Sequence, residues 1–275
     1  MQILNRFDSS YAQYANVFPN VEKSILVDLS ILTDDDIDNS VAWLIEPNEV
    51  LSSYIRQSVF ELMRQKLLSG AHRFSKLYTS FRCFADLPNV FILDKPPLSS
   101  WVSDEDAAKD HKKERDLVFI TSNKQITQMQ VYRTHIAQIM MQNGFEVYGR
   151  GYKPVEFKSE VLSPSRFCVS VENSIHKGFH TEKVLDCFRT KTIPLYVGDP
   201  LIEEVYDKKG MFIFKSVEEL INSDIMVSLL QRKPMHDLYD TMFQYVEENY
   251  ARYQNSAPLY DPVTSIKTIL ENTSE

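Results

Sequence analysis

Short apolar runs alternate along the chain with longer stretches whose apolar positions recur every three or four residues. The runs predict strands at Ile25–Leu29, Val41–Ile45, Lys76–Thr79 and Val90–Leu93 in the first half. In the second half they predict strands at Leu117–Thr121, Phe145–Tyr148, Phe167–Val171, Ile193–Val197 and Met211–Phe214. The helical spacing falls at Glu49–Leu68, Ile126–Gln142, Thr181–Thr190 and Val217–Ser223, and the chain from Met235 onward reads as mostly helical. Strands alternating with helices of this length predict an α/β protein with parallel sheets.

The charged stretch Ser103–Asp116 shows no buried period and separates two α/β halves; the competing reading is a surface loop inside one domain. The expected division is therefore 1–107 and 108–275, with C-terminal helices that can pack back on the first part. Six of the seven glycines (Gly144, Gly149, Gly151, Gly178, Gly198, Gly210) fall in the second half, crowded at strand ends. Glycine serves where backbone approaches a ligand or takes positive φ, although turns alone account for several of them. Their placement points to a nucleotide site at the carboxyl edge of the second sheet.

Composition narrows the classes. With 43% hydrophobic and 25% charged residues, the chain has enough apolar material for real cores. A net charge of -8 argues against nucleic acid as a partner, since binding there requires a basic face that displaces counterions. A small anion needs only two or three placed cations. No run of about 18 apolar residues exists to span a bilayer, and the first ten residues are too polar for a signal-peptide core. Cys83, Cys168 and Cys187 are odd in number and far apart, which reads as buried, reduced thiols in a cytoplasmic protein.

The most informative segment is Phe167–Pro200. A buried strand ends at Glu172-Asn173-Ser174, a loop with Gly178 follows, and Thr181-Glu182-Lys183 opens a helix that Thr181 is placed to cap. Lys183 and the free amides of that first turn suit an anion, because the helix dipole also presents positive charge there. The plainer reading leaves Lys183 in solvent.

The order E-N-S, loop, T-E-K, apolar helix, then T-I-P-x-Y-x-G-x-P resembles the donor-binding signature of the α1,3-fucosyltransferases, glycosyltransferase family 10. Upstream, Ser122-Asn123, Arg133 and Val147-Tyr148-Gly149-Arg150-Gly151 match that family's S-N, R and V-x-G-x-G elements. The resemblance spans roughly Asp116–Ser223. It implies a GT-B fold, two Rossmann-like parallel α/β domains with a cleft between them. It also implies a nucleotide-sugar donor, most naturally GDP-fucose, a glycan acceptor and no metal.

Arg133 has an argument of its own. It falls within the stripe Ile126, Met129, Ile136, Met140, so its guanidinium faces inward and needs an anionic partner. That partner is either an internal carboxylate or a donor diphosphate, for which a planar fork is suited. Glu172 and Glu182 are acceptors for ribose or sugar hydroxyls. They stand ten residues apart instead of the eight of the E-x7-E pattern of many retaining GT-B enzymes, which points to inversion. Asn173 either orients the donor or caps a loop. Ser122, Asn123, Tyr148 and Gly149 join the donor set through the resemblance, and Tyr196 and Phe179 either flank the ligand or pack in the core.

In the first half Glu46 ends a strand just before Pro47. The resemblance implies a catalytic base there, with Glu-Pro where Glu-Ser-Pro is expected; a solvated strand-end carboxylate is the alternative. Thr33–Asp38 contains D-x-D twice but follows a single strand, too early for a metal site of the GT-A kind, and reads as a solvated acidic turn. His176 and His180 are separated by Gly178, which argues against paired metal ligands on a helix. Two further readings remain open: the same fold with another donor such as UDP-xylose or a UDP-hexose, and a non-catalytic sugar or nucleotide-binding module.

Overall fold

A computed structural model describes residues 2–4, 16, 23–33, 40–72, 74–93, 100–109, 112–256 and 262–271. Their strands form two sheets, each wholly parallel. The first sheet contains β1 (Gln2–Leu4), β2 (Ser24–Val27), β3 (Ser40–Leu44), β4 (Leu77–Thr79) and β5 (Val90–Ile92), in that order. The second contains β6 (Arg115–Ile120), β7 (Val147–Tyr148), β8 (Ser165–Val171), β9 (Ile193–Val197) and β10 (Phe212–Ile213), in the order β10-β9-β8-β6-β7. Two such Rossmann-like α/β units are the architecture of the GT-B class.

The units are Met1–Ser99 with His176–Phe179 and Ala257–Glu275, and Ser100–Ile175 with His180–Ser256. In the first unit the strands lie in sequence order, and the helices Asn48–Ile55 and Val59–Ser69 pack on one face of the sheet. On that face Leu26, Ala42, Leu44 and Leu77 share a core with Leu51, Val59, Met63 and Leu67. The opposite face alternates Ile25, Val27, Val41, Trp43, Ile45 and Tyr78, and is closed by Ile266 and Ile269 of helix Pro262–Glu271. A sheet buried on both sides explains why β3 reads as a continuous apolar run.

The second unit has a different topology. The chain runs from β6 outward to β7, then returns across the sheet to β8, β9 and β10. The carboxyl ends of β6 and β8 therefore flank a topological switch point, where open α/β sheets bind ligands. Leu117, Phe119, Phe167 and Val169 share a core with Ile136, Ala137 and Met140 of helix Gln128–Gln142. The alternate positions Val118 and Cys168 share one with Val102, Leu162 and Cys187.

Several elements differ from the sequence expectation. The single helix Glu49–Leu68 is two, Asn48–Ile55 and Val59–Ser69. Arg56 takes a left-handed φ of 57° and ends the first, and Ser58 caps the second by accepting from the Glu61 amide at 3.3 Å. Ser223 ends helix Val217–Asn222 and caps an unexpected helix, Asp224–Leu230. The charged stretch holds a short helix, Asp104–Ala108, capped by Ser103 and carrying three carboxylates in its first turn, where the dipole favours them. Val102 and Ala107 bury beside Val118 and Tyr148, which ties residues 100–107 to the second unit.

Cys168 and Cys187 are buried free thiols, but Cys83 is exposed on a short 3-10 turn, contrary to the expectation for all three. Ile126 lies before the helix with 44% of its surface exposed, outside the stripe assigned to it. Of the D-x-D segment, residues 34–38 lie outside the described residues. Among the described residues no helix is long and apolar enough to cross a membrane.

Candidate functional site

A cavity of about 370 Å³ opens at the switch point of the second unit. Ser122, Arg133, Gly149, Asn173, Glu182 and Lys183 line it together with Thr121, Lys124, Gln130 and Arg150. Six of the nine residues expected at a donor site thus share one concavity. Glu172 stands behind it; Asn123 and Tyr148 are not in its walls, and Glu46 belongs to the first unit.

The helix Gln128–Gln142 positions Arg133. Thr127 caps it and forms a capping box with Gln130, and the Thr127 hydroxyl also donates to the Asn173 carbonyl at 2.6 Å. That bond fixes the end of β8 against the helix start. Further along the helix, Arg133 is 6% exposed. Its Nε donates to Thr121 Oγ1 at 2.9 Å and its terminal nitrogen to Asn173 Oδ1. Among the described residues no carboxylate lies within ion-pair distance of it. Burial draws its pKa down, opposed by the fields of Glu172 and Glu182. A buried guanidinium with only neutral partners is costly to fold, and it faces the cavity.

Asn173 therefore serves Arg133: its side chain accepts from the guanidinium and its carbonyl accepts from the helix cap. Asn123 supports the site from outside, donating its backbone amide to the Arg150 carbonyl at 3.0 Å. Gly149 has φ 109°, and a Cβ there would collide with the Thr121 carbonyl, so glycine alone lets this loop close on the end of β6. Tyr148 is buried, with its hydroxyl donating to Glu146 and accepting from Arg115 at 3.2 Å, a network away from this cavity.

The second cation is held differently. Lys183 Nζ lies 3.0 Å from Glu172 Oε2 and 2.6 Å from Thr181 Oγ1. Glu172 is fully buried and accepts from the Thr181 amide and hydroxyl, each at 2.7 Å. Glu172 is thus an internal anchor for the turn into helix Glu182–Arg189, with both carboxylate oxygens engaged within the protein. Thr181 occupies the cap position but its hydroxyl bonds Glu172 and Lys183, so it does not cap the helix through its side chain. Gly198 makes room for this arrangement, since a Cβ there would collide with Glu172 and Tyr196. Tyr196 is buried, accepting the Asp199 amide at 2.9 Å, and Phe179 stacks on Phe81 in the first unit at 5.3 Å; both are core residues.

A further charge cluster was not legible in the sequence. Lys158 Nζ bridges Glu182 Oε1 at 3.0 Å and Asp186 Oδ2 at 2.7 Å. Burial alone would depress the Lys158 pKa, but the two carboxylates outweigh it and raise the net value. Burial likewise opposes ionisation of Glu182, and Lys183 and Lys158 overcome it, bringing its pKa down to about 2. Lys158 comes from a segment without periodicity, and its partners are remote in sequence, so no spacing rule could have found it.

In the first unit Glu46 follows β3. The Asp28 carboxylate accepts from the amides of Ile45 and Glu46 at 2.8 and 3.0 Å, extending the β2–β3 ladder beyond its last backbone pair. Glu46 is half-buried there. Nearby in sequence, Glu49 Oε2 meets His176 Nε2 at 2.9 Å, with the imidazole against Phe60 and Phe81. Among the described residues no group of three or more His, Cys, Asp or Glu could hold a metal ion.

Fold and cavity together define a GT-B-type α/β protein whose second unit offers a cationic recess at its switch point. The chain belongs to glycosyltransferase family 10: the family model for the C-terminal region of these fucosyltransferases matches residues 110–256. An α-(1,3)-fucosyltransferase, FucT of Helicobacter pylori, is 30% identical over 128 residues, which cover 44% of this chain and 26% of the relative. The chain thus spans about a quarter of the length of that relative. The crystal structure of TarM matches 95% of this chain and 57% of its own at 9% identity, with a TM-score of 0.59, a likeness of fold alone. A crystal structure of an α1,3-fucosyltransferase with GDP-fucose is 24% identical over 53% of this chain and 41% of its own, with a TM-score of 0.39.

Proposed function

We infer that the second unit binds a nucleotide-sugar donor, GDP-fucose, and that the chain transfers the sugar to a glycan hydroxyl with inversion. The observation that carries this reading is Arg133. A permanently charged fork, buried with no carboxylate partner among the described residues and directed into a cavity, is suited to an anion from outside the protein. A donor diphosphate is such an anion, and family membership makes fucose its natural sugar.

The chemistry follows from these placements. Departure of the nucleoside diphosphate builds negative charge on the leaving oxygens, and fixed cations stabilise it. Arg133 is preorganised by Thr121 and Asn173. Lys183 has two of its three donor directions occupied, leaving one for a phosphate oxygen. Lys124 and Arg150 line the same recess and add positive field. With these cations no metal is required. Glu182, ionised and steadied by Lys158, is the acceptor for a donor hydroxyl. Glu46 is the base that takes the acceptor's proton as the opposite face of the sugar is attacked.

The test is a thermal-shift panel of GDP-fucose, UDP-xylose, UDP-glucose and GDP-mannose, followed by transfer assays in the presence of EDTA. Stabilisation by GDP-fucose alone, with turnover that survives chelation and yields the inverted anomer, is the expected outcome. Selective stabilisation by another donor replaces fucose. No response to any of the four favours a non-catalytic module, and manganese-dependent turnover revives a metal mechanism.

A further inference from the structure

Trp101 is 71% exposed, the most exposed of the large apolar side chains described, yet its backbone is tightly held. The Asp186 Oδ1 atom accepts from the Trp101 amide at 2.8 Å and from the Ser100 hydroxyl at 2.5 Å. Val102, the next residue, is buried. The Lys158 ammonium sits 5.0 Å from the centre of the indole, fixed there by Glu182 and Asp186. An indole so oriented and left open to solvent is unusual without a use, since exposing apolar surface of this size forgoes burial.

Trp101 also lines the cavity that contains Arg133 and Lys183. That cavity has two characters. Ser122, Arg133, Gly149, Asn173 and Lys183 form a polar portion at the carboxyl ends of β6 and β8. Ile120, Leu162, Cys168 and Val169 make the remainder apolar, with Trp101 beside them. A ligand with an anionic segment joined to a flat, weakly polar ring fits both portions.

We propose that Trp101 is the stacking platform for the nucleobase of a nucleoside diphosphate, held in place from beneath by Lys158 and Asp186. The proposal rests on the donor reading above and adds the residue that receives the base. Lys158 engages the indole through its π-system. The open ring surface receives the base, an interaction that any nucleobase can make. Asp186 and Lys158 are positioning residues, because they act through Trp101. The sequence connection is long: Trp101 precedes β6, whereas Asp186 lies in the helix Glu182–Arg189, which also carries Lys183.

Calorimetry of the full chain with GDP, UDP and inorganic pyrophosphate tests this. Trp101→Ala should weaken GDP and UDP on the order of ten- to hundredfold and leave pyrophosphate unchanged, while Trp101→Phe should retain most of the nucleotide affinity. The chain has two tryptophans, and Trp43 is fully buried in the first unit. GDP should therefore quench the solvent-exposed part of the emission in the wild type and not in Trp101→Phe. If GDP binds the wild type and Trp101→Ala equally well and without quenching, the platform is overturned and the donor reading stands. If the wild type binds pyrophosphate but no nucleotide, or binds none of the three, both fail. Asp186→Asn, with the indole present but its loop loosened, should reduce nucleotide affinity less than Trp101→Ala does; a larger loss that extends to pyrophosphate would show Asp186 acting on the anion portion instead.

Discussion

Lys183 and the buried Glu172 form an ion pair at 3.0 Å, and the pair reaches the cavity through its half-buried cation only. The carboxylate is wholly enclosed and also holds Thr181 in place. The lysine therefore has a structural duty in addition to any role toward a donor. Removing one partner of such a pair leaves an uncompensated buried charge, at a cost of about 3–5 kcal/mol. Lys183→Ala should thus lower unfolding free energy in denaturant titrations as well as weaken donor binding. The double variant Lys183→Met with Glu172→Gln should recover much of the stability and none of the donor affinity. Equal stability losses in the single and double variants would show that the pair contributes nothing as a pair.

Arg133 predicts the opposite balance. Its charge is buried against neutral partners, so Arg133→Met removes a desolvation cost while it strands Thr121 Oγ1 and Asn173 Oδ1. The two effects offset, and stability should change by about 1 kcal/mol or less. Donor affinity should fall at least tenfold, because a charge-assisted fork is lost. Arg133→Lys should bind donor poorly as well, since a point charge does not reproduce the fork. Calorimetric affinity beside chemical denaturation separates the two quantities. A variant that loses stability and keeps its donor would make Arg133 a structural residue.

Lys113 supplies a pH dependence unrelated to the cavity. Its ammonium donates to the carbonyls of Ser165 and Thr190, each at 2.8 Å, and among the described residues no carboxylate pairs with it. Burial lowers its pKa from 10.5 to about 7, with Lys191 and Arg166 adding to the effect and Cys187 opposing it. Between pH 7 and 10.5 the unfolded chain holds this proton and the folded chain releases it. Unfolding then takes up protons, so this group's contribution to stability rises with pH through that window. Below about pH 7 both states are protonated and the contribution is flat. Lys113→Met should flatten the rise seen in urea titrations from pH 7 to 10; an unchanged slope would assign it to other groups.

Much of the architecture was legible because apolar runs and helical spacing report burial directly. Ile193–Val197 coincides with β9, and the other expected strands meet the observed ones within a few residues. What escaped was local: Arg56 in the left-handed region breaks a helix whose apolar spacing continues across it, and β1 is too short for an alternation to register. At the cavity, Arg133 was legible because an arginine within an apolar stripe is anomalous. Glu172 was legible as a position but not in its work, since only the fold brings Lys183 and Thr181 onto it. Tyr148 followed a motif whose glycine, not its tyrosine, closes on the cavity. Trp101 and Lys158 had no sequence signal because their relation passes through Asp186, 85 residues from Trp101.

Glu46 carries the final prediction. It stands at the end of β3, where Asp28 fixes its amide and so the direction in which the strand leaves the sheet. If it is the general base, Glu46→Gln keeps the side-chain shape and the Asp28 contact, and stability and donor affinity should match the wild type. Transfer to acceptor should fall by about 10²–10⁴-fold, the usual contribution of a positioned base. The pH–rate profile should also lose its acidic limb, which reports protonation of that carboxylate. Asp28→Asn is the companion variant: it retains an acceptor for both amides, so it should affect turnover far less than Glu46→Gln. Wild-type turnover in Glu46→Gln would remove it from the mechanism and direct attention to Glu49, whose carboxylate meets His176 at 2.9 Å in the same unit. Loss of stability together with donor binding would instead make Glu46 a structural end to its strand.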